Sequence, residues 1–437
     1  MKDFKYIQVY QTIIDDIENG YLKYHDKIPS IRQMAKRLDV SRTTVESAYL
    51  QLLVEGYIYA KEKVGYYVDV QYRSQMKGPT FDTNIAVETQ KYRYDFSGRF
   101  VDSESFNLEI WKKYIKKALN QTDELMCYGE ILGEPALKQA LQRYSHEYRG
   151  LSRPVNQYVI GAGFQILLYH ICSLFGKDTI VGIEEGGFKQ AEAVFHDCHL
   201  QVVKLPVDDQ GITIDGLKKA NLKLLYLNSS SGGYHGHPIK WQRRLEIINF
   251  ARENDVFIIE DDHNGELKFN TKPIDAMSKL DNERIFYVGS FSKLLLPSIR
   301  ISYMALPNYF TKIFYQKVSS YHQTASKLEQ LALAMYIDDG QLARHLKKLR
   351  KHYRIKGNHL LTSLQNAFPN HHFELYETAL KITMAVADEL TDQYIETAKK
   401  HNIRVTKNSS NQIVLSFSGI FEHDIDEAIN LLKEIWQ

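Results

Sequence analysis

Tyr287-Val-Gly-Ser290-Phe-Ser292-Lys293-Leu-Leu-Leu-Pro-Ser-Ile-Arg300 is the stretch on which the reading of this chain turns. It sets a lysine behind a Ser-x-Ser turn and seven residues before an arginine. An amine that condenses with an aldehyde thus stands beside hydroxyls and a guanidinium that hold a phosphate. Upstream, Val256-Phe-Ile-Ile-Glu-Asp261-Asp262-His263 puts two carboxylates just past the carboxyl end of a buried strand, where open α/β sheets place their ligands. Alone, such a pair reads as a helix cap or a solvated loop. Its position one strand-length segment before Lys293 makes the functional reading the better one.

These residues meet the demands of a pyridoxal phosphate (PLP) site one by one. An acid must face the ring nitrogen, so that the protonated ring can act as an electron sink, and the carboxylate pair at Asp261-Asp262 can supply it. Gly161-Ala162-Gly163-Phe164-Gln165 precedes an apolar helix and offers backbone amides at its N-terminus. Ser290, Ser292 and Arg300 supply the remaining phosphate contacts. A Gly-x-Gly by itself is weak evidence and Ser-x-Ser-Lys moderate, but all three elements in this order are strong.

Around this stretch, strand-like runs alternate with helical ones from about residue 93. They are Gln157-Tyr-Val-Ile, Thr179-Ile-Val-Gly-Ile, Leu200-Gln-Val-Val-Lys-Leu, Leu222-Lys-Leu-Leu-Tyr-Leu, Val256-Phe-Ile-Ile-Glu and Arg284-Ile-Phe-Tyr-Val. The alternation predicts a mainly parallel sheet covered by helices. A long helix and a small α+β subdomain are expected over 326–437, after a large domain over 93–325. Residues 71–92, rich in Gln, Lys, Gly, Pro, Thr, Asp and Asn, read as a linker.

Residues 1–70 read as a separate unit. Ile7, Tyr10, Ile13, Ile14 and Ile17 recur at helical spacing and stop at Gly20; Pro29-Ser30 opens a second helix, and Ser41 caps a third that Gly56 closes. Tyr57-Ile-Tyr-Ala and Tyr66-Tyr-Val-Asp-Val alternate like two strands around a charged turn. Two helices joined by a short turn, the second starting Ser41-Arg42-Thr43-Thr44, suit the major groove of DNA. Arg42 matches the two acceptors of guanine, and Lys61 and Lys63 flank the hairpin turn within reach of phosphates. A small helical bundle with merely solvated polar residues is the competing reading.

At 437 residues the chain requires two or three domains. A net charge of +2 leaves no global basic field, so a nucleic-acid surface must be local. Cys127, Cys172 and Cys198 lie far apart in sequence, which argues against a disulfide framework or a zinc site and fits a reducing, cytoplasmic setting. No stretch approaches a membrane span or a signal core.

The run from Lys27 to Ile58 resembles the winged helix of GntR-type regulators, with Gly65 in the wing. The resemblance implies DNA contacts at Ser30, Arg32, Ser41, Arg42, Thr43 and the wing. Residues from about 93 to 437 resemble fold-type-I aminotransferases, and the whole chain, linker excepted, is similar to the MocR/GabR subfamily. That resemblance implies PLP held on Lys293 as an internal aldimine, Asp261 on the pyridine nitrogen, and backbone phosphate contacts from Ala162, Gly163 and Phe164. It further implies Phe188 stacked on the ring and Tyr128 reaching the partner subunit's phosphate, hence a head-to-tail, domain-swapped homodimer. The other expected partners are a double-stranded DNA operator and a small-molecule effector.

Three positions depart from the pattern. His263 stands where the family carries a tyrosine that bonds the cofactor's phenolic oxygen. The loop Asn228-Ser-Ser-Ser-Gly-Gly-Tyr-His-Gly236 lacks the expected Asn-Pro-Thr-Gly. Val414, in Asn411-Gln-Ile-Val-Leu-Ser-Phe, replaces the arginine that clamps a substrate carboxylate. The expectation is therefore a regulator that senses PLP itself or a small amine, without efficient turnover. A working aminotransferase with an accessory head, and a regulator that has lost PLP, are the alternatives.

Overall fold

The computed structural model describes residues 5–62, 64–69, 91–101, 103–231, 237–270, 273–408 and 410–436. Lys63, residues 71–90 of the expected linker and the tip of the loop at 232–236 therefore lie outside the described residues. The chain forms two compact units, Met1–Thr89 and Gln90–Gln437.

In the first unit, helix Lys5–Glu18 buries Val9, Ile13, Ile14 and Ile17, one face of a 3.6-residue repeat. It ends at Glu18, and the chain turns away at Gly20, whose φ of +75° suits a residue without Cβ. Helix Ile31–Leu38 starts in a capping box, in which Ser30 and Gln33 each satisfy the other's backbone amide. Helix Arg42–Val54 starts at Ser41, whose Oγ accepts from the Thr44 amide at 3.1 Å. Strands Ile58–Lys61 and Gly65–Val68 pair antiparallel, with Tyr59 opposite Tyr67 and Lys61 opposite Gly65. Ile58 and Val68 close the core formed by Val45, Ala48, Tyr49 and Leu52.

In the second unit a seven-stranded sheet runs in the order Tyr158–Gly161, Ser302–Ala305, Ile285–Ser290, Phe257–Asp262, Leu224–Asn228, Ile180–Glu184, Gln201–Leu205. All pairs are parallel except the two made by Ser302–Ala305. That strand is absent from the sequence-based expectation; it follows Arg300 by two residues and carries no alternation to mark it. The central parallel strands are buried on both faces, which is why they read as continuous apolar runs, whereas the edge strand Gln201–Leu205 is partly exposed. A 27-residue helix, Gln341–Ala367, leads to a four-stranded antiparallel sheet that includes Phe373–Tyr376, Lys381–Met384 and Ile413–Ser416. Strand Tyr94–Asp95, just after the linker, pairs in parallel with Ile403–Arg404. Among the described residues no helix is long and apolar enough to cross a membrane.

Candidate cofactor site and nucleic-acid interface

The carboxyl ends of three adjacent strands converge on one place. Phe257–Asp262 delivers Asp261 and Asp262, Ile285–Ser290 delivers Ser290 and the turn to Lys293, and Leu224–Asn228 delivers Tyr226. Asp261 is buried and accepts a 2.7 Å hydrogen bond from Tyr226 Oη. Burial is the main force on its pKa, which rises from 3.8 to about 7, with the neighbouring Asp262 and Glu260 adding to the rise. Asp261 is thus a buried acid whose ionised form has no ion-pair partner among the described residues.

Asp262 has the opposite arrangement. Arg149 binds it through Nε and, at 2.9 Å, through Nη2; Ser230 Oγ and Tyr287 Oη also donate to it. Burial pushes its pKa up, but the Arg149 guanidinium and these hydrogen bonds outweigh burial and hold it below the ordinary carboxylate value. Of these two adjacent carboxylates, Asp262 is paired with a cation and Asp261 is bonded to a phenol.

Burial lowers the Lys293 amine to about 8, which leaves an appreciable neutral, nucleophilic fraction near neutral pH. Its Nζ donates to the carbonyl of Gly98 and lies 3.4 Å from that of Phe100 and 3.3 Å from Ser418 Oγ. His263 follows Asp262 directly. Burial first, then the Lys293 charge, lowers its pKa to about 4, so its imidazole is neutral.

Gly161–Gly163 turns the chain from strand Tyr158–Gly161 into helix Phe164–Cys172, with Gly163 at φ +92°. A Cβ on Gly163 would lie 2.5 Å from Arg300 Nη2, so this guanidinium rests directly on the helix N-terminus. Arg300 is exposed and makes no ion pair among the described residues. Ser290 Oγ and Ser292 Oγ are 2.9 Å apart, and the Ala162 amide already has a partner, Thr324 Oγ1 at 3.1 Å. Phe188, at the start of helix Lys189–Asp197, packs edge-on against Phe164 at 5.8 Å between centroids, and Phe164 in turn lies 6.1 Å from Tyr226. Tyr128 is 93% exposed, with His322 its one ring contact among the described residues. Val414 alternates with the core residues Ile413 and Leu415 and so shares a strand face with Ser416, whose Oγ lies 3.2 Å from Ser418 Oγ.

Sequence reasoning missed Tyr226, Arg149, Thr324, Ser418 and the carbonyls of Gly98 and Phe100. Tyr226 had a signal: it stands two residues before Asn228 on a strand read as buried. Arg149 had none, because before Gly150 it reads as an ordinary basic residue at a helix C-terminus.

In the first unit Ser30, Arg32, Ser41, Arg42, Thr43 and Lys61 are exposed, and Thr44 is half-buried. The Ser41 hydroxyl is engaged by Thr43 and Thr44 hydroxyls at 2.8 and 2.7 Å, which fixes the first turn of the helix. Arg32 and Arg42 make no ion pair among the described residues, so their guanidinia face water. Lys61 lies over the rings of Tyr67 and Tyr59 at 4.9 and 5.8 Å. Gly65 has φ +135°, and a Cβ there would meet Lys27 Cε at 3.0 Å.

Comparison with known proteins agrees with both units. Residues 5–68 match the family of bacterial regulatory proteins of the gntR family, and residues 98–421 match aminotransferase class I and II. The chain is 34% identical to YdeL, an HTH-type transcriptional regulator of Bacillus subtilis (strain 168), over 99% of this chain and 96% of that protein. It is 28% identical to the probable rhizopine catabolism regulatory protein MocR of Rhizobium meliloti, over 79% of this chain and 74% of the other. A crystal structure of Pyrococcus horikoshii kynurenine aminotransferase, 23% identical, superimposes with a TM-score of 0.71 over 80% of this chain and 91% of that one. A GntR-type DNA-binding head joined to a class I/II aminotransferase domain makes this chain a transcriptional regulator of the MocR subfamily.

Proposed function

We propose that this regulator binds PLP on Lys293 and couples its occupancy, by PLP alone or by PLP with a small amine, to operator binding. The observation that carries the reading is Asp261: a buried carboxyl raised to about 7, bonded to Tyr226, with no ion-pair partner among the described residues. A protonated pyridine ring is a cation of the shape such an acid lacks. PLP, when bound, supplies an aldehyde carbon to an amine and a ring that withdraws electrons. The rest is done by side chains. Lys293 offers a partly neutral amine, and neutral His263 offers one N–H donor beside it. Arg300, the amides at the Gly163 helix terminus, Ser290 and Ser292 form a phosphate cradle, and Phe188 covers the ring. Tyr128, almost fully exposed, suits contact with a phosphate held by a second copy of the chain.

Val414 supports sensing over turnover. Without a guanidinium on that strand face, a substrate carboxylate has no bidentate partner there, and an α-amino acid is poorly oriented for proton abstraction. The test is a titration of the cofactor-free protein with PLP, followed by its visible band, beside a gel shift on the region upstream of the protein's own gene. The reading expects a band that Lys293→Ala abolishes, and an operator affinity that PLP or PLP plus an amine changes. A PLP-independent affinity and no band would defeat it. Steady conversion of an amino acid and a keto acid would favour the enzyme reading.

A further inference from the structure

We propose that the Lys293 amine, whenever it is not bonded to a cofactor, ties the large subdomain to the segment by which the chain enters the second unit, and that bonding to PLP withdraws this tie. The proposal rests on Lys293 being the PLP-bearing residue.

The entry segment, Arg93–Phe100, belongs by its hydrogen bonds to the small subdomain. The Arg93 amide donates to Asn402 O at 2.9 Å, the Phe96 amide to Arg404 O at 2.8 Å, and the Ser416 amide to Phe96 O at 2.8 Å. Its end crosses the exit of strand Ile413–Ser416 at close range. A Cβ on Gly98 would stand 3.0 Å from Ser416 Oγ, one on Gly419 would stand 3.0 Å from Phe100 Cβ, and Ser418 Oγ donates to Phe100 O at 2.8 Å. Lys293 reaches this crossing from the other side, from the loop after a strand of the large sheet. Its contacts there are Gly98 O, Phe100 O and Ser418 Oγ. An ammonium has three N–H groups, and three acceptors meet it, two of them backbone carbonyls of the entry segment.

Condensation with an aldehyde removes that capacity. The ammonium sheds a proton, its nitrogen forms a C=N bond to the aldehyde carbon, and the carbonyl oxygen departs as water. The nitrogen then carries at most one N–H, and it has moved to the cofactor, so the three acceptors lose their donor. An incoming amine reverses this: its nitrogen takes the carbon, the C–N bond to Lys293 breaks, and a proton passes to the lysine, which is free to return to its carbonyls. Cofactor-free and amine-displaced forms therefore share the tied arrangement, and the protein with PLP on Lys293 is the untied one. The two candidate signals act on the entry segment in opposite directions.

Amide hydrogen exchange of a peptide covering residues 97–101, read beside the visible spectrum, tests this. Loss of hydrogen bonds to a charged group predicts exchange about tenfold faster once PLP is bonded. Hydroxylamine, which removes the aldehyde as an oxime and frees the Lys293 amine, should restore the slow rate. A band at Lys293 with unchanged exchange overturns the tie while leaving the PLP reading intact. Absence of any band overturns the PLP reading instead. The tie itself is then judged on the cofactor-free protein. Lys293→Met and Ser418→Ala should both accelerate exchange of this peptide, and unchanged rates in both would refute it.

Discussion

Asp261→Asn separates the cost of the buried acid from its use. In the cofactor-free protein the folded-state pKa is about 7 against an ordinary 3.8, chiefly through burial. The folded state therefore keeps a proton that the unfolded chain sheds near 3.8. Wild-type stability falls as pH rises from about 4 to about 7, and stays lowered above that. At 1.36 kcal/mol per pH unit, the full cost approaches about 4 kcal/mol, of which about 3 kcal/mol accrues between pH 5 and pH 8. Asparagine matches the protonated carboxyl in shape and still accepts from Tyr226, but it does not titrate. Urea denaturation of the second unit at both pH values should show Asp261→Asn gaining on wild type by up to about 3 kcal/mol as pH rises. PLP should offset most of that gain at pH 8. At a hundredfold excess over its Kd it stabilises wild type by about 2.7 kcal/mol, and the variant, lacking the anion, by far less. A difference between the two proteins that ignores pH, or wild type gaining on the variant at high pH, would refute the reasoning.

Arg149→Met leaves the Asp262 carboxylate buried without its cation and should cost about 3–5 kcal/mol in urea denaturation, with partial recovery on adding Asp262→Asn. Gly163→Ala forces a side chain into φ +92° and against Arg300; strain of about 1–2 kcal/mol at the phosphate cradle should weaken PLP binding roughly tenfold by absorbance titration. Arg42→Ala should weaken operator binding by about 1–3 kcal/mol in a gel shift, whereas Lys61→Ala should reduce the steepness of the salt dependence more than the preference for sequence.

What was legible in the sequence was local. Ser30 and Ser41 announced helix starts because a cap and its amide partner lie three residues apart. The runs around Tyr226, Asp261 and Tyr287 announced strands because a parallel sheet buries both faces, and the Ser-x-Ser-Lys turn and Gly163 were visible as motifs. What escaped was the second half of each interaction. Arg149 meets Asp262 across 113 residues, and Lys293 meets Gly98 across 195 and Ser418 across 125. Periodicity reports which way a side chain faces, and it carries no information about which distant backbone arrives opposite. Backbone carbonyls are the extreme case, since Gly98 O and Phe100 O have no residue identity that a reading could seize on.

The pairing of Asp261 with Asp262 gives this distinction a functional sense. Both carboxylates are buried at the end of one strand, and burial makes either expensive to ionise without a counter-charge. The chain spends Arg149, Ser230 and Tyr287 on Asp262, and that cluster locks the end of the strand, and thereby the backbone of its neighbour, in place. Asp261 receives one phenol. Had both been compensated, the site would be stable and indifferent to a cationic ring; had neither been, the strand end would lack an anchor. On the proposed reading, fixing one acid leaves the other to an external cation, and the domain's stability then depends on its ligand.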